Sequence, residues 1–111
     1  MYLRMNISEK TINNYAIVSL QGILNASSAP KLKTYIAGMP DEQSLVIDLE
    51  NVEFLDSSGL GALVGIARKK KTGSAVMKLA RMNERVKKVF EITQAYTLFD
   101  IYDDVSAAAE A

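Results

Sequence analysis

The side chains best placed for chemistry in this sequence are those of two adjacent serines, Ser57 and Ser58. They follow Asp56 and precede Gly59-Leu60-Gly61, a pattern that predicts the change from a loop to a helix. The free N–H groups and the positive end of the helix dipole would then point at the two serines and favour an anion there. A hydroxyl in such a place can cap the helix, attack a substrate as a nucleophile, or belong to a phosphate-binding loop.

The composition removes one of these chemistries, and the glycine spacing removes another. The 111 residues contain neither histidine nor cysteine, so a Ser-His-Asp or Cys-His site cannot be built and the commonest metal ligands are missing. A dinucleotide-binding loop is dismissed because the glycine spacing, G-x-G-x-x-x-G, is one residue too long. We therefore predict no catalytic residue, no metal and no cofactor. Capping by Asp56 or Ser57 is the simplest interpretation of the motif, and Ser58 is expected to cap the helix or to hydrogen-bond locally.

The glycines of this segment are unusual inside a first helical turn. Gly59 and Gly61 each cost about 1 kcal/mol relative to alanine. One interpretation is a bare backbone surface that another molecule can approach, which Gly65 would extend along the helix. The other is close packing within the domain itself. Both interpretations remain open at this stage.

The charges balance overall but not along the chain. There are 13 basic and 13 acidic residues, so no net field draws in nucleic acid or an anionic membrane. Six acids lie between residues 41 and 56, and nine bases with a single acid lie between residues 68 and 88. We interpret these as two solvated faces, and expect neither nucleic acid nor membrane as a partner. A signal peptide and an apolar run of about 20 residues are both missing, which predicts a cytoplasmic protein.

Length and periodicity predict a single domain spanning residues 1–111. Strands are expected at 5–12, 15–20, 45–49, 75–79 and 98–102, with 52–56 as a connection and a tight turn at Asn13-Asn14.

Apolar residues at helical spacing predict the helices. The first helix is marked by Leu32, Tyr35, Ile36 and Met39. The second would bury Leu60, Leu63, Val64 and Ala67, and the third, capped by Asn83, would bury Val86, Val89, Phe90 and Thr93. Asp103 or Asp104 opens the last helix. This order predicts a small α/β domain, a mixed and mostly parallel sheet of four to five strands flanked by about four helices.

The motif from Asp56 to Gly61, preceded by the strand at 45–49 and by Phe54-Leu55, resembles the signature of STAS-domain anti-sigma-factor antagonists. The resemblance covers nearly the whole chain. Residues 20–25 are similar to the family's L-x-G-x-L-D strand end, and residues 86–101 to its closing helix and strand. Asn25 stands where the family usually has Asp, and Ala95-Tyr96 stands where Gly and an aliphatic residue are usual.

The resemblance implies a partner-switching regulator that is not an enzyme. Unphosphorylated, such a protein binds an anti-sigma factor that is also a serine kinase, and so frees the sigma factor. The kinase phosphorylates the serine directly after the Asp, here Ser57, and a metal-dependent serine phosphatase resets the cycle. The residues implied at the partner surface are Asn25, Asp56, Ser57, Ser58, Gly59, Leu60 and Gly61. The alternative is a STAS scaffold or sensor subunit of a signalling or transport assembly, without a phosphorylation cycle.

Overall fold

The computed structural model describes residues 5–110. The predicted order of strands and helices is confirmed, with an additional 3₁₀ turn at Ala95–Leu98 before the last strand. The strands are β1 (Asn6–Ile12), β2 (Tyr15–Leu24), β3 (Leu45–Leu55), β4 (Met77–Ala80) and β5 (Asp100–Tyr102). The helices are α1 (Ala29–Ala37), α2 (Ser57–Thr72), α3 (Glu84–Thr93) and α4 (Val105–Glu110).

The five strands form one mixed sheet in the order β1-β2-β3-β4-β5. β1 is antiparallel to β2, and the remaining neighbours are parallel. Asn13 and Asn14 connect β1 to β2 with φ angles of 48° and 71°. Two consecutive left-handed residues form the tight turn that suits a two-residue hairpin, and asparagine tolerates that conformation. The predicted hairpin and the mostly parallel sheet are therefore both confirmed.

The helices cover the two faces of the sheet unequally. The larger core joins one face to α1, α2 and α3 through side chains such as Leu32, Leu63 and Phe90. The smaller core lies on the opposite face, where Ala108 and Ala109 of α4 are buried. The central strands β3 and β4 are buried on both sides, as expected of parallel strands between helical layers. Asn83 and Asp104 cap α3 and α4 with their side chains, as predicted.

The predicted connection at 52–56 is wrong, because β3 continues to Leu55. Its parallel pairing with β2 continues through two register shifts, which place two extra residues in β3, and β2 itself runs on to Leu24. Gly22 takes a φ of 114° beside one of these irregularities, a conformation that favours glycine. The exposed residues Glu50, Asn51 and Glu53 interrupt the apolar pattern. The prediction from that pattern therefore ended the strand too early, at residue 49. As a result, both strands end together at one edge of the sheet.

The inner faces of the helices also differ in part from the prediction. In α2 the buried residues are Gly59, Ala62, Leu63, Ile66 and Lys70. Leu60, Val64 and Ala67 are only partly buried, so the helix is rotated from the predicted face. In α3, Val86 and Phe90 are buried as predicted, whereas Thr93 is exposed. β4 begins at Met77 and ends at Ala80, instead of spanning the predicted 75–79. The last strand is shorter than predicted because the 3₁₀ turn takes up Leu98 and pairing begins at Asp100.

The basic segment between residues 68 and 88 is not one solvated face, contrary to the prediction. Lys70 and Lys78 are buried, with 5% of each residue exposed. Arg81 forms ion pairs with Asp48 and Glu50, at 3.0 Å from Nε to the Asp48 carboxylate and 2.5 Å from Nη2 to Glu50. The acidic and basic segments meet because the parallel sheet places β3 beside β4. Part of the apparent charge separation is therefore internal pairing.

Candidate functional site

The candidate site lies where β2 and β3 end. Leu24 pairs with Leu55 as the last residues of these two parallel strands. The next residues along the chain, Asn25 and Asp56, therefore leave the sheet side by side. The backbone N–H of Asp56 donates to the carbonyl oxygen of Leu24 at 3.3 Å, which holds the two exits together.

Asp56 is the N-cap of α2, as one of the two capping alternatives predicted. Its Oδ1 accepts a hydrogen bond from the backbone N–H of Gly59 at 2.9 Å, and its carbonyl oxygen accepts from the N–H of Leu60 at 2.9 Å. Its backbone is extended, with a φ of −104°, as N-cap residues usually are. The carboxylate is therefore engaged with the helix backbone, and Ser57 is the first helical residue instead of the cap.

Ser57 and Ser58 are both exposed to solvent. Over the described residues 5–110, neither hydroxyl forms a hydrogen bond with a protein atom. The expectation that Ser58 would bond locally is thus wrong, because the cap is already supplied by Asp56. The first turn of α2 also contains no acidic residue. An anionic group added here would meet the positive end of the helix without losing an existing bond.

Both interpretations of the glycines hold, but for different residues: one glycine serves close packing, and two others leave bare backbone exposed. A Cβ atom on Gly59 would lie 2.9 Å from Cγ of Leu24 and closer still to the Leu24 carbonyl oxygen. Gly59 therefore serves close packing inside the domain. Gly61 and Gly65 are exposed, and a Cβ atom on either would meet nothing within 4 Å. These two glycines provide the bare outer surface of α2.

Asn25 holds the loop that leads into α1. Its Oδ1 accepts hydrogen bonds from the backbone N–H groups of Ser27 and Ser28, at 3.0 and 3.2 Å. The hydroxyl of Ser28 donates to the carbonyl oxygen of Ile23 at 2.6 Å and accepts from the N–H of Asn25 at 2.9 Å. An aspartate could accept the same bonds with its carboxylate oxygens. The loop thus keeps its hydrogen bonds with asparagine at a position where the resembling family has aspartate.

Phe54, at this edge of the sheet, is not among the residues predicted for the partner surface, although Phe54-Leu55 directly precedes the motif. It is 54% exposed although it belongs to β3, and it pairs in register with Ile23 of β2. Leu55 points into the core, so Phe54 projects from the opposite face three residues before Ser57. The signal was the alternation of Phe54 and Leu55, but it is informative only when the strand is known to continue this far.

Comparison with known proteins agrees with this geometry. A family model described as the STAS domain matches residues 6–108. The anti-sigma-B factor antagonist of Bacillus subtilis (strain 168) is 30% identical over 100 residues, which are 89% of this chain and 92% of that protein.

Solved structures show the same fold. An anti-sigma factor antagonist from Mycobacterium paratuberculosis has a TM-score of 0.84 at 25% identity, covering 96% of this chain and 92% of that chain. The Bacillus cell fate determinant SpoIIAA, in its phosphorylated form, has a TM-score of 0.68 at 17% identity, covering 95% and 98% of the two chains. At this lower identity the second likeness concerns the fold alone.

The order of the mixed sheet and its flanking helices, together with the family-model match, define a STAS-type α/β domain. The chain belongs to the STAS-domain family of anti-sigma-factor antagonists. Over residues 5–110, none of the helices is long and apolar enough to cross a membrane.

Proposed function

We propose that this protein is an anti-sigma-factor antagonist that works by partner switching. Unphosphorylated, it binds an anti-sigma factor that is also a serine kinase, and the sigma factor is released. Phosphorylation of Ser57 ends this binding. The observation that carries the proposal is the exposed hydroxyl of Ser57 at the start of α2, next to a carboxylate that is already engaged as the cap. The names of the relatives support the same role.

Ser57 is proposed as the phosphoacceptor, and this chain as the substrate. Its Oγ would attack the γ-phosphorus of an ATP bound to the kinase, so that a Ser57 O–P bond forms, the bond to the β–γ bridging oxygen breaks, and ADP leaves. We assign the hydroxyl proton to a base of the kinase, because Oδ1 of Asp56 already accepts from Gly59 N–H and the chain has no histidine. The antagonist therefore contributes a positioned hydroxyl and no catalytic residue.

The switch itself is electrostatic and steric. A phosphate adds about −1.5 to −2 charges at neutral pH. The helix end tolerates this anion, because the N-terminal N–H groups and the dipole favour it. A partner surface lying over Ser57 would instead meet a solvated dianion beside Asp56. Docking is therefore lost while the domain keeps its fold, since the Ser57 hydroxyl has no hydrogen bond within residues 5–110 to give up.

The surface proposed to contact the kinase differs in part from the set that the resemblance implies. Ser57, Ser58 and Gly61 are exposed and can touch a partner directly. Phe54 is an exposed apolar side chain three residues before Ser57, on the opposite face of the sheet. Asp56 and Asn25 act through the loops that they hold. Gly59 is buried and Leu60 is partly buried, so both support the surface from below. A metal-dependent serine phosphatase would return Ser57 to its free form.

The experiment that tests this proposal is intact-mass analysis after incubation with Mg-ATP and the candidate serine kinase. One added phosphate, absent in Ser57→Ala and retained in Ser58→Ala, is expected. Ser57→Ala should bind the kinase whether or not ATP is present, and Ser57→Asp should bind weakly. Phosphate that persists in Ser57→Ala would move the acceptor to Ser58. A stable complex without any added phosphate would favour the scaffold or sensor function, in which the surface is used without a phosphorylation cycle.

A further inference from the structure

The helices α1 and α2 lie on the same face of the sheet, and a cavity of about 340 Å³ lies between them. Its apolar lining comes from Ile36 and Ala37 of α1 and from Ile66 of α2. Gly65 contributes bare backbone, and a Cβ atom there would meet nothing within 4 Å. Small-molecule sites usually have about 300–1,000 Å³. The cavity is therefore large enough for a small ligand with an apolar body.

Three lysines surround the same cavity. Lys33 and Lys69 are exposed, whereas Lys70 is buried, with only 5% of its surface exposed. The Nζ atom of Lys70 donates to the carbonyl oxygen of Pro40 at 3.0 Å. An ammonium carries three N–H donors, so this contact leaves donors for another acceptor. Asp41 is the acidic residue that lines the cavity, and the local charge is therefore positive.

The burial of Lys70 carries an electrostatic cost that an anion would relieve. Burial lowers the pKa of Lys70, and the nearby charges of Asp41 and Glu42 oppose this effect only in part. Each of these acids is exposed to solvent. A negative group brought next to the ammonium would favour its charged form. The lysines and the apolar lining together match a ligand with an anionic head and an apolar chain.

We propose that the cavity between α1 and α2 binds a small amphipathic anion, with its apolar chain against Ile36 and Ile66 and its head among the three lysines. This inference goes beyond the partner switch, because the site is separate from Ser57. Gly65 lies eight residues further along α2, which is about 12 Å at the helical rise. Carboxylates and phosphate monoesters share the required chemistry.

The binding test uses octanoate and the full chain without any kinase, so its failure would leave the partner switch untouched. Two-dimensional nitrogen–proton NMR spectra follow the backbone amides during the titration. Shifts are expected at Ile36, Ala37, Gly65 and Ile66, with a dissociation constant on the order of 1 mM. Octan-1-ol and octylamine have the same chain without the negative charge, and should bind about tenfold more weakly or not at all. Octyl phosphate in a parallel titration distinguishes a phosphate head from a carboxylate.

Two pairs of variants locate the site. Gly65→Leu would fill the cavity and is expected to weaken octanoate binding about tenfold or more, whereas Gly61→Leu, equally exposed on α2, should leave it unchanged. Lys69→Gln should weaken binding severalfold, and Lys71→Gln, an exposed neighbour outside the cavity, should not. Equal binding of octanoate and octan-1-ol, or unchanged binding by both Gly65→Leu and Lys69→Gln, would overturn the proposal.

Discussion

The carbonyl oxygen of Leu24 lies directly against the position that a Cβ atom of Gly59 would take. The same oxygen accepts the backbone N–H of Asp56, so one atom at the end of β2 contacts both the cap and the first turn of α2. This close approach requires glycine at position 59. It also sets the height of α2 above the sheet, and hence the position of Ser57.

Gly59→Ala should destabilise the domain, whereas Gly61→Ala should not. The added methyl group at 59 would collide with Leu24 backbone, which cannot move without disturbing β2, and overpacking of this kind costs about 1–3 kcal/mol. At position 61 there is open space, and alanine should stabilise the helix by up to about 1 kcal/mol. Urea unfolding of the two variants measures both effects. Equal free energies of unfolding for the two would contradict the packing role of Gly59.

Asp56→Ala should lower the free energy of unfolding by about 0.5–2 kcal/mol, because the N–H of Gly59 loses its acceptor. Asp56→Asn keeps an oxygen acceptor and should cost only a fraction of this. The Asn variant also tests the absence of a catalytic role. Removal of a general base costs about 10²–10⁴-fold in rate, so a loss of that size in the phosphorylation of Ser57 would show that Asp56 takes the proton.

Ser57→Asp should stabilise the isolated domain while weakening its binding to the kinase. The first turn of α2 has no acidic residue, and a negative charge at a helix N-terminus contributes about 0.3–1 kcal/mol at low ionic strength. Ser57→Asn is the neutral control. Thermal unfolding at low and high salt is the measurement, and the difference between the two variants should shrink with salt. A destabilised Ser57→Asp domain would mean that the charge disturbs the fold as well as the docking surface.

Lys78→Met should release α4 from the sheet. The Nζ atom of Lys78 donates to the carbonyl oxygen of Ala108 at 2.9 Å and lies 4.7 and 5.2 Å from the ring centres of Tyr15 and Tyr102. Ala108 is in the last turn of α4, where carbonyl groups lack helical partners. Losing this charged donor should cost about 1.5–3 kcal/mol.

Hydrogen exchange is the direct measurement of that release, and the amides of α4 should exchange faster in Lys78→Met than in the unmodified chain. Lys71→Met, on an exposed position of α2, is the control and should leave exchange in α4 unchanged. Unchanged protection of α4 in Lys78→Met would show that the apolar contacts of Ala108 and Ala109 are sufficient.

Glu9→Gln should lower the pKa of Tyr35. The hydroxyl of Tyr35 donates to Oε1 of Glu9 at 2.5 Å, and this bond, with burial and the charge of Glu9, raises the tyrosine pKa above its ordinary value of 10.0. The folded state then holds the proton more tightly than the unfolded state. The contribution of the Tyr35 hydroxyl to the free energy of unfolding is therefore fully present below pH 10.0, and it is lost as the pH rises through the raised pKa of Tyr35.

An NMR titration of the tyrosine ring carbons measures this pKa in the folded protein. Glu53→Gln removes a similar exposed carboxylate from β3 and serves as the control. An unchanged Tyr35 pKa in Glu9→Gln would mean that the bond between β1 and α1 does not persist in solution.

Much of the architecture could be predicted because it depends on neighbouring residues. Apolar periodicity identifies the strands and helices in order, and Asn13-Asn14 identifies the hairpin turn, since asparagine tolerates positive φ. The helix start at Asp56 follows from the short polar side chain that caps it. The family signature around Ser57 lies within one continuous segment, so it too could be read directly.

Other features depend on contacts between residues far apart in the chain, and only the tertiary structure decided them. The extension of β3 to Leu55 comes from its pairing with β2 and overrides the polar pattern of residues 50–53. The rotation of α2 and the burial of Lys70 follow from how that helix packs on α1 and the sheet. Gly59 and Gly61 are identical as residues, yet one is enclosed by Leu24 and the other faces open space. The local residue preferences determine which secondary structure a segment can form. Tertiary packing determines which face of that segment is buried and which residues contact it.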